Sequence, residues 1–134
     1  MKLAKNLILL FFITFGCTLD PSPTLITFKI CNMTENTLLI ESESINENSY
    51  KRDTLLPNQK INFQTINFNC YKGLNDSLIQ LFFKKISIKC ANKNLNIELF
   101  KTSSWKESKE MNRFGECKRG KVTYTLFVND SNLK

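Results

Sequence analysis

The chain has 134 residues, with 19 lysines and arginines against 12 aspartates and glutamates, a net charge of +7, and no histidine. Without histidine, every Ser-His-Asp and Cys-His catalytic arrangement and most zinc hydrolase sites are excluded. The length suits one domain with a single core, and the wealth of Phe beside few Gly and Pro excludes a disordered chain.

Lys2 and Lys5 form a basic head, followed by an apolar run from Leu7 to Gly16 that nothing more polar than Thr14 interrupts. As a helix this run would be about 15 Å long, half of what a bilayer core of about 30 Å requires. The basic flank, the run length and the closing small residue predict a cleavable signal segment over residues 1–16. A buried N-terminal element is the alternative, but its bulky apolar surface would be hard to cover at a chain end. Cleavage would follow Gly16. Thr14 and Gly16 also satisfy the small-residue rule of ordinary signal peptidase, so a soluble secreted product is a second outcome.

Gly16-Cys17 resembles a bacterial lipobox, in which a Cys follows a small residue; Thr14 and Phe15 stand where that pattern prefers Leu, Val or Ile and then Ala or Ser. The resemblance implies a lipoprotein: a diacylglyceryl thioether on Cys17, an N-acyl group of the palmitate type, and a lipid bilayer as partner. Two or more acyl chains anchor stably where one does not. Thr18 stands where an inner-membrane retention Asp would be expected in some sorting systems, so the resemblance leans toward outer-membrane delivery within the cell envelope. "TLDPSPT" then reads as an extended tether, which makes 17–24 the lipidated Cys and its spacer.

Five cysteines stand at 17, 31, 70, 90 and 117. Acylation of Cys17 leaves an even number, and in an oxidising compartment Cys31, Cys70, Cys90 and Cys117 are candidates for two disulfides with all three pairings open. Buried free thiols are the alternative. With no C-x-x-C and no His, no metal site is expected.

"LITFKIC" alternates with period two, and with the turn residues of "NMTEN" and the strand "TLLIES" it predicts a β-hairpin over residues 25–42. "ESINENSYKRD" reads as a loop. "LLPNQK" is a Pro-Asn turn into a third strand, "INFQTINF", whose phase shifts at Ile66 and Phe68. In "NDSLIQLFFKKI" the spacing of Leu78, Leu81, Phe82 and Ile86 predicts a short amphipathic helix capped by Asp76 or Ser77. "ISIKC" and "LNIELF" predict two strands around "ANKN". Ser104-x-x-Glu107 predicts a capping box and a turn or two of helix through Met111. "KVTYTLFV" closes the chain as a strand with Val122, Tyr124, Leu126 and Val128 on one face.

These elements predict a mainly β fold over 25–134, an Ig-like β-sandwich with one or two short helices; an α+β arrangement with the helix on an open antiparallel sheet is the alternative. The sequence "FKICNMTENTLLI", then "LLPNQKI", a Trp-bearing loop and a final "YTLFVNDSNL" resembles the layout of small lipoproteins from AT-rich anaerobic bacteria. That resemblance implies export and a β-rich fold, and it implies no activity.

Loss of Lys2 and Lys5 with the signal segment would lower the net charge from +7 to +5, and much of the remaining basic excess lies in the second half. Attraction to an anionic surface, either lipid headgroups or an acidic glycan, is one reading; a solvated lysine-rich surface is the other. Trp105 and Lys106 are a candidate contact for a glycan or protein partner, with Trp105 alternatively plugging the core beneath a loop. Glu41 and Glu43 would share a strand face, as paired carboxylates do in a glycosidase, although solvated edge charges are commoner. Sequons at Asn32, Asn75 and Asn129 are what chance supplies in a chain so rich in Asn, Ser and Thr. The expectation is a membrane-anchored lipoprotein acting as a binding or envelope-structural module, with no catalysis, cofactor or nucleic acid. A soluble secreted inhibitor or effector is the alternative.

Overall fold

Period-two burial governs the chain from Thr24 onward, and it builds two sheets. The computed structural model describes residues 23–45, 49–91, 93–114 and 117–134, with residues 112–114, 117 and 118 described by their backbone alone. The signal segment, Gly16, Cys17 and most of the tether therefore lie outside the described residues. The strands are β1 (Thr24–Asn32), β2 (Leu38–Ser44), β3 (Tyr50–Leu55), β4 (Lys60–Phe68), β5 (Phe83–Lys89), β6 (Lys106–Phe114) and β7 (Cys117–Val128), with one helix among the described residues, α1 (Asp76–Phe82). One sheet has the order β4-β1-β7-β6 and the other β3-β2-β5. Neighbours are antiparallel except β1 and β7, which run parallel from Leu25↔Lys121 to Asn32↔Val128.

The sheets pack face to face through their apolar sides, giving the mainly β sandwich expected from the sequence. Ile26, Phe28 and Ile30 of β1 and Val122, Tyr124, Leu126 and Val128 of β7 face Leu38 and Ile40 of β2 and Phe83, Ile86 and Ile88 of β5. Phe28 lies at the centre, in edge-on contact with Phe82, Phe83 and Trp105 at ring separations of 5.9, 5.0 and 5.3 Å. Burial of one such side chain stabilises the fold by about 1.5–3 kcal/mol.

The predicted hairpin is not one. β1 and β2 belong to different sheets, and residues 33–37 form an arch between them. The buried Asn32 side chain holds that arch. Its amide donates to the carbonyls of Asn36 (2.7 Å) and Leu55 (3.0 Å), and its Oδ1 accepts from Thr34 N (3.0 Å) and Thr34 Oγ1 (2.8 Å). Two strands that each carry one continuous apolar face gain more by facing each other across a core than by lying side by side.

The polar stretch read as a loop contains the end of β2 and the first four residues of β3, an edge strand whose side chains alternate between exposed and half-buried up to the buried Leu55. The Pro-Asn turn is present: Asn58 takes a left-handed φ of 60°, and the amide of Gln59 donates to the Leu56 carbonyl at 3.1 Å. It carries the chain from β3 to β4, in the other sheet. A phase change does occur in β4, but earlier than Ile66: the register against β1 skips Phe63 at a bulge, so Phe63 and Gln64 are both buried and Thr65, expected on the face of Phe63, is exposed.

α1 is shorter than predicted. Its cap is Asn75, whose Oδ1 accepts the amide of Leu78 at 2.7 Å, and Phe83 already begins β5. Only Ile79 and Phe82 of the helix are buried; Leu81 is exposed, and Ile86 belongs to a strand. The helix predicted from Ser104 is a 3₁₀ turn (Thr102–Ser104) running into β6, because the twelve-residue β7 offers a complete ladder to pair with. "LNIELF" is not a strand either, and only Leu95 bridges, to Leu133.

Candidate functional site

Glu41 and Glu43 do share the outer face of the three-stranded sheet, opposite Arg52 and Tyr50 of β3 and Ser87 and Lys85 of β5. Glu41 is the more enclosed, with its side chain 12% exposed. It accepts Lys89 Nζ at 2.7 Å, the Tyr50 hydroxyl at 2.9 Å and Ser87 Oγ at 3.4 Å, with Arg52 Nε at 3.9 Å. The Lys89 and Tyr50 hydrogen bonds, then the charges of Lys89 and Arg52, outweigh burial and hold its carboxyl at about 2. Glu43 takes Lys84 Nζ at 2.6 Å. A carboxyl held so low stays ionised at neutral pH and has no proton to give as a general acid. Its partners occupy the lone pairs that a nucleophile would need, so the group is a cross-strand ion-pair cluster.

The cysteines separate into different environments. Cys31 and Cys90 are free thiols, which corrects the expectation that both join bridges. Cys31 lies on the outer face of β1, whereas Cys90 is buried at the end of β5 in the opposite sheet, so their side chains project in directions that cannot meet. No disulfide joins two described side chains. Cys70, exposed with a left-handed φ of 54°, is disulfide-bonded, and its partner falls outside them.

Trp105 is not a surface contact. It is 5% exposed, packs edge-on against Phe28, and its Nε1 donates to the Leu99 carbonyl at 2.9 Å. The loop above it is held by Asp76, which accepts the amide (2.8 Å) and hydroxyl (2.9 Å) of Thr102 and pairs with Lys101 at 3.2 Å. Lys106, the next residue, points outward from β6 and is exposed. The sequon at Asn32 is closed to modification in the folded domain, since that side chain is fully buried.

Sequence reasoning missed the outer face of the four-stranded sheet. The register lines up Thr65, Thr27, Thr123 and Ser108 as one row of hydroxyls crossing β4, β1, β7 and β6. The next row is Asn62, Lys29, Thr125 and Lys106, and beyond it lie Lys60, Cys31 and Phe127; on the other side Lys121 stands between Leu25 and Glu110. Lys29, Lys60, Lys106 and Lys121 form no ion pair among the described residues. The alternation of each strand was visible in the sequence, but this alignment depends on the parallel β1–β7 pairing.

Shallow hollows also lie among the described residues. One of about 410 Å³ is lined by Ile45, Gln80, Phe83, Lys84 and Phe100; another of about 320 Å³ lies beside Asn96, Glu98, Ser104 and Phe127. Among the described residues no cluster of His, Cys, Asp and Glu could hold a metal, and no helix is long and apolar enough to cross a membrane. Comparison with protein-family profiles, curated proteins and solved structures returns no match.

Proposed function

We propose that this chain is a membrane-anchored lipoprotein of the bacterial cell envelope whose sandwich is a binding or envelope-structural module and performs no catalysis. The observation that carries the reading is the position of Cys17, which closes a short apolar run and precedes the first strand, at Thr24, by seven residues. Seven extended residues reach about 25 Å at most, so acylation at Cys17 would hold the sandwich close to the bilayer, by this reading on the outer membrane. The ionised, fully engaged Glu41 supports a non-catalytic role for the strongest carboxylate candidate.

The bridge at Cys70 supports export, because structural disulfides persist in oxidising compartments. With Cys31 and Cys90 free, its partner is Cys117 or Cys17. Cys117 is the better placed. It opens β7, four residues before the Lys121 that pairs with Leu25, while Cys70 lies two residues past the Phe68 that pairs with Thr24. Both therefore belong to the end of the sheet where the chain enters. A Cys17–Cys70 bridge would instead block acylation and favour the secreted inhibitor or effector.

Mass analysis of the N-terminal peptide from protein expressed in a Gram-negative host, with a Cys17→Ser variant beside it, decides between them. Cys17 as residue one bearing acyl groups, absent from the variant, is the expected result. An unmodified N-terminus in the medium would reject the anchor.

A further inference from the structure

We propose that the outer face of the β4-β1-β7-β6 sheet is a docking surface for an acidic polysaccharide. The proposal deepens the reading above and rests on it in one respect, export to a compartment where such glycans occur.

The face is flat because it is a sheet surface, and its size follows from β geometry. Three gaps of about 4.8 Å between strands and rows about 6.7 Å apart give a platform of roughly 15 by 20 Å. Among the described residues four lysines stand on it, at 29, 60, 106 and 121, against the one carboxylate of Glu110. Lysines 84, 89, 101 and 109, elsewhere on the domain, are paired with carboxylates, whereas these four, like Lys72, Lys85, Lys93 and Lys134, form no ion pair among the described residues. Their separations are comparable to the Debye length of about 8–10 Å at physiological salt, so their fields overlap over the platform.

The spacing decides the kind of anion. Lys29 and Lys106 are two strands apart, about 10 Å between their backbones, and Lys121 lies two rows further along. Taken together with Lys121 they are too dispersed to converge on one phosphate or carboxylate, but they suit a chain that carries its charges at intervals. Between them runs the uninterrupted row Thr65–Thr27–Thr123–Ser108, with the amides of Asn62 and Asn67 at its edge strand. Hydroxyls and amides both donate and accept, which matches the hydroxyls of a sugar.

A bilayer is the poorer occupant, because interfacial binding wants apolar side chains that penetrate, and Phe127 is the one strongly exposed apolar residue here, at 41%. Single-stranded nucleic acid is poorer as well, since it calls for several stacking aromatics along the groove.

The test uses the full-length protein in detergent, with heparin as the sulfated probe and polygalacturonate as the carboxylated one. A variant carrying Lys29→Gln, Lys60→Gln, Lys106→Gln and Lys121→Gln is compared with a control of equal net charge: Lys72→Gln, Lys85→Gln, Lys93→Gln and Lys134→Gln. Loss of about thirtyfold or more in affinity is expected for the face variant and less than about threefold for the control. Buried-type Trp105 emission in both variants verifies folding. In the unaltered protein, alkylation of Cys31, read by peptide mass, should slow when glycan is bound, since that free thiol lies on the platform between Lys60 and Phe127. Which probe binds tighter distinguishes sulfated from carboxylated glycans. Equal losses in both variants, an unchanged Cys31 rate, equal competition by single-stranded DNA, or binding only to phosphatidylglycerol vesicles would each overturn the proposal. Glycan binding by unacylated protein would sustain it while removing the anchor; acylated protein that binds neither probe would do the reverse.

Discussion

Lys89 Nζ stands 2.7 Å from Glu41 Oε2, across the pairing of β5 with β2, and fixes an anion at the centre of the outer sheet face. The Tyr50 hydroxyl donates to the other oxygen from β3, so a single carboxylate ties together all three strands.

That arrangement has a pH signature. Glu41 falls from an ordinary value of 4.5 to about 2 on folding, so its contribution is full above the unfolded value and is lost as pH drops through this window. Asp76, also lowered, chiefly by the Thr102 amide and hydroxyl and then by Lys101, acts with the same sign. The urea midpoint should therefore decline from pH 5 toward pH 2, and Glu41→Gln should make that decline shallower. An unchanged slope would mean that Glu41 is not engaged in solution.

The hydroxyls of Tyr71 and Tyr124 are hydrogen-bonded to each other in the core, and both side chains are almost fully buried. Burial raises both phenols above their usual value, Tyr124 the more strongly. Tyr71→Phe or Tyr124→Phe alone strands one hydroxyl and should cost about 1–3 kcal/mol. The double variant should recover part of that loss, because no buried hydroxyl is left without a partner. Chemical denaturation of the three variants completes the cycle, and simple additivity would argue against a shared bond.

Phe28 contacts both sheets and the Trp105 loop at once. Phe28→Ala should lose about 3–5 kcal/mol, whereas Met33→Ala, at an exposed arch position, should change stability by less than about 0.5 kcal/mol. Comparable effects would mean that the core is centred elsewhere.

Thiol chemistry checks the cysteine assignment. In the native protein Cys31 should be alkylated while Cys90 reacts only on unfolding. Non-reduced protein should weigh about 2 Da less than reduced protein, one bridge rather than two. Peptide mapping should find Cys70 joined to Cys117, and a Cys17–Cys70 peptide would favour the secreted form.

What the sequence made legible was the local alternation. "LITFKIC" and "KVTYTLFV" each showed their buried faces, and "INFQTINF" showed that its phase changes, though not that the bulge falls at Phe63. What it hid was partnership. Nothing local tells Asn32 to arch toward Leu55 instead of turning a hairpin, because that choice is made by the core that β1 and β2 enclose. β3 was illegible because an edge strand needs only polar alternation, which also describes a loop. The capping pattern at Ser104 was overridden by the ladder that β7 offers, and the hydroxyl row emerges only when Thr27 is set beside Thr123.

The parallel pairing of β1 with β7 has a mechanical consequence. If the domain is held at its N-terminal end and pulled at its C-terminal end, the load passes along β1 and β7 in opposite directions. In a parallel pair that geometry strains eight registered residue pairs together, from Leu25↔Lys121 to Asn32↔Val128, instead of opening them one after another from an end. β1 is itself flanked by β4 and β7, so it cannot be peeled away as an edge strand could. Such a wiring suits a protein that must stay folded under tension.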